Sequence, residues 1–595
     1  MIEFEKRIKH PTPQNIRENW WLLNGEWDFQ FDPKNIGIKE KWFLNKNFNQ
    51  KIIVPFSYTS KLSKVESGEY ISYIWYKKEI NIKLKENKIY ILHFQASDYK
   101  TEVWINGFYV GKNEGGFFSF NFDITDYIKT DKNIIIVRVE DNNKTYQNLG
   151  KQSYKNENFL CWYTKTIGFW QDVWLEEVGE IYLSHYKLTP NLEKSTLDIE
   201  ANLNKSCDFL LKTTIYFENK IISENINRFI EGKTQQTNYI SSRFADFRLH
   251  YWSPDSPNLY DIKLEILDDN GKILDKIYSY FGMRKISTNN GFVCINNQKL
   301  FHKMILDQGY FGDGLMTPKN VQNLIDDVKK IKEMGFNGVR KHQKLEDVRF
   351  QYLCDYYGLL IWAEMPSFYE FSSLSQKEMI KNIYKFIERH YNSPSVETYV
   401  LFNESWGLNR IMDNKQIQAF VDGMFYLTKS IDNTRLVIGN DGWEHTKTDI
   451  LTIHDYSSFE KNIDKIYKNK ENIVKGAPSQ TSNRNVFVTG YSYNNEPIFI
   501  SEYGGVAFET ETAKRFNGWG YGKRIVNSDK VLEKISLLTQ AFTNNENVSG
   551  ICYTQLSDVE QEINGLLDHN HNYKFDIKDI KKALNTNKEG GFRFE

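Results

Sequence analysis

Over residues 1–180 apolar and polar positions alternate in short runs broken by Gly, Asn and Asp, the pattern of half-buried antiparallel strands. Gly25-Glu-Trp-Asp-Phe-Gln-Phe31 and Ile74-Trp-Tyr-Lys-Lys-Glu-Ile80 are examples. Glu102-Val-Trp-Ile-Asn-Gly107 runs straight into an Asn-Gly pair, which predicts a hairpin there. Gly168-Phe-Trp-Gln-Asp-Val-Trp-Leu175 predicts a late strand with Trp170 and Trp174 on one sheet face, as core residues. A jelly-roll sandwich fits this stretch. Residues 181–286 keep the alternation with fewer aromatics, in Ile199-Glu-Ala-Asn-Leu203, Leu210-Leu-Lys-Thr-Thr-Ile-Tyr-Phe217 and Tyr260-Asp-Ile-Lys-Leu-Glu-Ile266. They predict a smaller immunoglobulin-like sandwich in which nothing catalytic stands out.

From residue 287 onward apolar runs alternate with helical stretches. Lys299–Leu306, Phe336–Arg340, Leu359–Glu364, a run ending at Glu404, Arg435–Asn440, Ile450–His454, a run ending at Glu502, and Val548–Gln555 make eight strand candidates. Helices are predicted from Thr317 as N-cap with Pro318 at the first helical position to Met334, through Phe350–Tyr357, and from Glu378 to Tyr391. Glu404 and Glu502 lie 98 residues apart. Spread over three β/α units this is about 33 each, the repeat size of a (β/α)8 barrel. A doubly wound sheet alternates similarly, but no Gly-rich nucleotide turn follows the first strand. The expected fold is multidomain: an N-terminal jelly-roll β-sandwich over 1–180, an immunoglobulin-like β-sandwich over 181–286 and a C-terminal (β/α)8 TIM barrel over 287–595.

Composition narrows the function more than the fold. With 595 residues the chain is too long for a single core. Its 76 basic and 77 acidic residues nearly cancel, so nucleic acid and acidic membrane surfaces are not expected partners. The five cysteines are scattered and odd in number, which suits buried thiols better than a disulfide framework. The first ten residues have no apolar core of a signal peptide, and no apolar run approaches membrane-span length, so a cytoplasmic location is expected, or export by a route the sequence does not show.

Two stretches carry the candidate chemistry. Val400-Leu-Phe-Asn-Glu-Ser-Trp-Gly407 and Pro497-Ile-Phe-Ile-Ser-Glu-Tyr-Gly-Gly505 each run apolar and β-branched into a carboxylate, Glu404 or Glu502. The C-terminal end of a parallel strand is where a barrel places its reactive groups. Two facing carboxylates are the minimum for breaking a glycosidic bond.

With these residues in view, the chain resembles family 2 of the glycoside hydrolases, the β-galactosidase and β-glucuronidase family. Asn24-Gly-Glu-Trp27, Val54-Pro-Phe-Ser57, Val103-Trp-Ile-Asn-Gly107 and Gly168–Glu176 look like its sugar-binding sandwich, and Phe281-Gly-Met-Arg284 like the exit from its immunoglobulin-like domain. Asn337-Gly-Val-Arg340, Asn392-Ser-Pro-Ser395 leading to Asn403-Glu404, and Ser501-Glu-Tyr-Gly504 look like its barrel signatures. The resemblance implies Glu404 as general acid/base and Glu502 as nucleophile of a retaining exo-glycosidase. That mechanism asks for a raised pKa at Glu404 and an ionised Glu502, for which Arg340 is the candidate partner. Asn403 is expected on the sugar 2-hydroxyl and Tyr456 on the nucleophile. His342, His454, Asp455, Trp406, Tyr553 and Gln555 complete the expected substrate-binding set.

Departures from the family pattern bear on the sugar. Phe368 stands where large β-galactosidases carry an acidic magnesium ligand, so no catalytic metal and no cofactor are expected. Glu562-Ile-Asn564 stands where glucuronidases carry an Asn-x-Lys motif, and an acid there should repel a uronate. Tyr553–Glu560 replaces the family's common tryptophan after the eighth strand, and the chain ends soon after the barrel. A neutral glycoside or oligosaccharide, most simply a β-galactoside, is the expected substrate. α-L-Arabinofuranosidase or β-xylosidase activity stays open, as does a non-catalytic carbohydrate-binding protein, against which the retention of both glutamates argues. Members of the family often assemble, which makes a homo-oligomer possible.

Overall fold

The computed structural model describes residues 2–585 apart from 241–248, 458–462, 464–465, 468, 475–483 and 511–517. The N-terminal stretch forms a sandwich of two antiparallel sheets. One has the strand order Trp20–Leu22, Val173–Gly179, Lys88–Phe94, Phe120–Asp123. The other runs Gln50–Val54, Gly25–Phe31, Tyr73–Ile82, Asp131–Glu140, Lys100–Ile105, Phe108–Glu114. Trp27, Phe29, Tyr76, Phe94 and Phe169 fill the space between them. The Asn-Gly hairpin forms as expected: Asn106 and Gly107 both have positive φ (51° and 86°), which a twisted two-residue turn requires. The late strand is shorter than predicted. It begins at Val173, so Trp174 stacks on His93 within the sheet, whereas Trp170 leaves it to pack with barrel residues.

The second sandwich pairs a three-stranded sheet (Leu183–Asn191, Thr196–Leu203, Lys233–Tyr239) with a four-stranded one (Lys220–Arg228, Leu210–Phe217, Tyr260–Leu267, Ile273–Phe281). The buried Arg17 guanidinium spans both sandwiches, with Nε 2.9 Å from Asp275 and a terminal nitrogen 3.2 Å from Glu176.

The C-terminal part is a parallel eight-stranded barrel: β1 (His302–Asp307), β2 (Gly338–Lys341), β3 (Leu360–Glu364), β4 (Val396–Asn403), β5 (Leu436–Asp441), β6 (Leu451–Asp455), β7 (Ile498–Gly504) and β8 (Gly550–Thr554). The order β5-β4-β3-β2-β1-β8-β7-β6 leaves only the β5/β6 seam without a ladder, and there the His454 N–H donates to the Gly442 carbonyl at 3.3 Å. Met304, Leu306, Leu360, Trp362, Val400, Ile438, Phe499 and Cys552 pack the interior. Helices α1 (Val321–Glu333), α2 (Val348–Tyr357), α3 (Ser373–His390), α4 (Lys415–Ile431) and α5 (Ser528–Thr543) lie outside.

Three expectations shift here. Helix α1 starts at Val321, capped by Asn320 and not by Thr317, whose hydroxyl instead donates to the Trp170 carbonyl at 2.7 Å. Helix α3 starts at Ser373, before Glu378, because Ser372 and Ser375 form a reciprocal cap. The three units between Glu404 and Glu502 are uneven. Residues 442–450 join β5 to β6 without a helix, and residues 456–497 join β6 to β7, so the even spacing was an average.

Candidate active site

The C-terminal ends of the barrel strands converge on Arg340, which is fully buried at the end of β2. One terminal nitrogen lies 2.6 Å from Glu502 Oε1 on β7. The other lies 2.8 Å from Asp441 Oδ2 on β5 and 2.7 Å from Asn403 Oδ1 on β4, and Nε lies 3.1 Å from Glu364 Oε2 on β3. A guanidinium suits this role because its donors point in fixed, planar directions. Tyr456 donates to the second oxygen of Glu502 at 2.5 Å, and its ring stacks on Tyr521 at 3.4 Å between centroids. Glu502 is therefore held at both oxygens.

Glu404 follows β4 directly. Glu404 and Ser405 both have positive φ (52° and 56°), a conformation that side-chain-bearing residues rarely adopt and that here turns the carboxylate over the barrel mouth. The turn is tied down by the Glu404 N–H to the Asp441 carbonyl (2.9 Å), the Ser405 N–H to Asn440 Oδ1 (3.1 Å) and the Ser405 hydroxyl to Glu444 (2.6 Å). Trp406 Nε1 donates to Glu404 Oε2 at 3.1 Å, and His454 Nδ1 lies 2.7 Å from Glu404 Oε1. Burial works against charge on Glu404, but the His454 hydrogen bond and charge outweigh it and hold the carboxyl below its ordinary value. This reverses the raised value expected from the sequence, because the partnership with His454 is not visible there. Burial also disfavours charge on His454, yet Glu502 and Asp441 together push it up to about 10.

His342 sits in the same layer, with Nδ1 3.0 Å from Glu364 Oε2 and 3.3 Å from an Arg340 nitrogen. Burial drives Glu364 up to about 8 despite Arg340, with the Asp441 and Glu502 charges adding to the rise. Burial and the Arg340 charge keep His342 neutral.

Two expected residues are not brought to the site. Asp455 follows His454 on β6, so alternation turns it outward. Its carboxylate accepts from the Tyr467 hydroxyl (3.0 Å) and the Ser457 N–H (2.9 Å). Tyr553 likewise alternates with the inward Cys552, and its ring packs against Tyr503 on the helix side of the barrel. Gln555 is buried, its amide taken up by Gln308 (2.8 Å) and Asn564 (2.7 Å).

Other groups at the site were not anticipated. Glu364 and Asp441 are the last residues of β3 and β5, each an apolar run closing on a carboxylate, so the signal that singled out Glu404 and Glu502 points to them too. From the first sandwich come Lys151, Trp162 and Tyr163. The Tyr163 hydroxyl donates to Glu562 Oε2 at 2.5 Å, Trp162 meets Trp406 edge to face at 4.8 Å, and the Lys151 ammonium lies 5.4 Å over the Trp162 ring. No local sequence pattern announces such contacts between distant segments. One oxygen or nitrogen each from Glu404, His454 and Glu502 lie within 4.8 Å of one another. A cation entering there would have to displace the Arg340 and His454 contacts, so the trio reads as a proton-handling network and not as a set of metal ligands.

The sequence matches three family descriptions in order: "Glycosyl hydrolases family 2, sugar binding domain" over residues 21–177, "Glycosyl hydrolases family 2" over 181–284 and "Glycosyl hydrolases family 2, TIM barrel domain" over 311–514. A "Beta-galactosidase" of Thermoanaerobacter pseudethanolicus is 27% identical over 435 residues, covering 69% of this chain and 53% of that protein. The chain spans about half the length of the first curated relatives it matches. Among solved structures, a β-glucuronidase from Ruminococcus gnavus in complex with D-glucuronic acid superposes with a TM-score of 0.77 at 17% identity, covering 96% of this chain and 98% of the other. A β-galacturonidase from Eisenbergiella tayi bound to glycerol gives 0.73 at 18% identity, with 96% and 97% covered. No described helix is long and apolar enough to cross a membrane. The ordered matches over all three structural units place this chain in glycoside hydrolase family 2.

Proposed function

We propose that the chain is a retaining exo-glycosidase that removes a terminal neutral sugar, β-galactosidase-like, through a covalent glycosyl-enzyme. The observation that carries this reading is the Glu404–Glu502 pair. One oxygen of each lies within 4.8 Å of the other, an approach compatible with the ~5–5.5 Å between carboxyls of a retaining pair. Glu502, oriented at both oxygens by Arg340 and Tyr456, attacks the anomeric carbon. Glu404 protonates the departing oxygen. It then takes a proton from the water that attacks the same carbon and releases Glu502. Asn403 Oδ1 is bound by Arg340, which directs the amide nitrogen to the 2-hydroxyl. Trp406, Trp162 and Tyr369 form an aromatic wall beside Glu404 for the sugar or its aglycone.

One observation favours a second reading, an acidic sugar. Lys151 is only 8% exposed, yet among the described residues no carboxylate lies within ion-pair distance of it. Burial opposes its charge beside Glu404; of the groups that raise its pKa, Glu562 is the carboxylate, since burial pushes the Cys161 thiol up to about 11 and the Tyr369 phenol higher still. Burial raises the Glu562 carboxyl above its ordinary value against the hydrogen bonds from Tyr163 and Asn564 (3.0 Å), which weakens the repulsion expected toward a uronate.

The test is a panel of 4-nitrophenyl β-galactoside, β-glucuronide, β-galacturonide, β-xyloside and α-L-arabinofuranoside with wild type, Glu404→Gln, Glu502→Gln and Lys151→Met. Turnover of a galactoside, abolished in Glu502→Gln and cut by about 10²–10⁴-fold in Glu404→Gln, is the expected result. Turnover of none, or undiminished turnover by both glutamine variants, overturns the assignment. Preference for a uronide that Lys151→Met erases establishes the second reading over the first.

A further inference from the structure

His454 is fully buried with a carboxylate at each ring nitrogen, Glu404 at 2.7 Å from Nδ1 and Asp441 at 3.0 Å from Nε2. Its ring cannot swing away. A Cβ on Gly442 would lie 2.7 Å from Nδ1, so the imidazole packs directly on the glycine backbone, and the Trp443 ring closes it from the side at 5.5 Å. Asp441 is fixed in turn by Arg340 at 2.8 Å.

This geometry constrains where protons can be. A nitrogen lone pair facing a carboxylate oxygen at 2.7 Å would be repulsive, so a proton must lie between His454 and Glu404, either on Nδ1 or on Oε1. The Nε2 proton is committed to Asp441. We propose that, before substrate binds, the proton Glu404 will deliver to the leaving oxygen is stored on His454, and that Asp441, His454 and Glu404 form one relay in which only Glu404 touches the reacting atoms. The proposal rests on the reading of Glu404 as acid/base, and it makes His454 a positioning residue for that proton.

The relay balances over a turnover. The Nδ1 proton passes to Glu404 Oε1 and on to the glycosidic oxygen as its bond to the anomeric carbon breaks with the electron pair going to oxygen. This leaves neutral His454 and ionised Glu404 with no proton between them, an unfavourable contact that makes Glu404 the stronger base for the second step. In the second step Glu404 takes a proton from water as the water oxygen bonds to the anomeric carbon and the bond to Glu502 breaks, and the proton returns to Nδ1. The charged groups facing the ring are Glu404 from the turn after β4, Asp441 from β5, Glu502 from β7 (3.5 Å) and the Arg340 guanidinium from β2 (3.5 Å). Behind them lie Glu364 and His342, and on the β5–β6 connection is His445, which burial keeps neutral near pKa 4 and whose Nε2 lies 2.7 Å from the Thr452 carbonyl. The carboxylates outnumber the guanidinium, which favours the imidazolium, and the shared proton then titrates as a property of the pair.

The experiment measures kcat/KM against pH for wild type, His454→Gln and His454→Ala on the 4-nitrophenyl and 2,4-dinitrophenyl glycosides of the sugar wild type accepts. Expected is a basic limb that moves down by about one pH unit or more in both variants. At pH 8 the loss is about tenfold or greater on the 4-nitrophenyl glycoside and smaller on the dinitrophenyl one, whose leaving group needs less protonation. Added imidazole should restore part of the rate to His454→Ala. Rates that fall evenly across pH, with the basic limb unmoved and no rescue, overturn the relay. If Glu404→Gln is no more damaging on the poorer leaving group, the acid/base reading fails instead. Neutron diffraction of the unliganded wild type at pH 8 tests the relay without any variant: deuterium on Nδ1 of His454 is expected, and its absence there overturns the proposal.

Discussion

Arg340 answers acceptors from four different strands, so removing any one of its donor directions disturbs the nucleophile and its neighbours together. Lysine would keep the charge but not the planar fork. Arg340→Lys is therefore expected to lower kcat by about 10²-fold, the order of loss that an ångström of misplacement causes. Steady-state kinetics alongside thermal unfolding checks it, and wild-type kcat in a folded variant would contradict the role. Arg340→Met should instead destabilise the fold by about 3–5 kcal/mol, since it strands several buried carboxylates. The same reasoning explains why Glu364 is pushed up to about 8 while Asp441 is held far down. At Glu364 burial outweighs Arg340, and the Asp441 and Glu502 charges raise it further; at the equally buried Asp441, Arg340 and His454 together outweigh burial.

At the scale of the element, the turn after β4 is the most exacting piece of backbone. Gly407 has φ +70°, and a Cβ there would come within 2.4 Å of the Phe368 carbonyl oxygen, a backbone atom that cannot yield. Gly407→Ala is expected to cost about 1–3 kcal/mol and to misplace Glu404, seen as a lowered unfolding midpoint with reduced kcat. An alanine variant as stable and active as wild type would mean the turn relaxes freely. The strands that carry Glu404 and Glu502 were legible because each is a short apolar run ending in a charge, a combination with few alternative explanations. Asp455 and Tyr553 were misread although the period-two rule contains the answer: once His454 and Cys552 point inward, their successors point out. Glu364 and Asp441 were overlooked in spite of bearing the same strand-end mark. The start of α1 was misplaced because Thr317-Pro318 carries a genuine cap signal that tertiary contact with Trp170 overrides.

At the scale of the whole molecule, the buried Arg17–Glu176–Asp275 cluster couples the two sandwiches. Burial opposes ionisation of Glu176, but Arg17 and His93 outweigh it and hold its pKa at about 2. A depressed carboxyl stabilises the fold above its unfolded value, about 4.3, and that contribution is lost as pH falls toward 2. Acid unfolding followed by circular dichroism should lose this stability over that window in wild type and show a smaller loss in Glu176→Gln. An identical acid transition in both would contradict the coupling. The contacts of Lys151, Trp162 and Tyr163 with the barrel mouth could not be read from sequence, since they join segments more than two hundred residues apart through side chains that are individually ordinary. The Trp406 indole has a further consequence. It donates to Glu404 and meets Trp162 of the first sandwich. Natural selection acting on the reaction therefore also acts on a layer that holds no reacting group. In a pool of random variants screened only for turnover, positions 150–165 should accept substitutions about as rarely as the barrel strand ends, while the remaining surface of the same sandwich drifts freely.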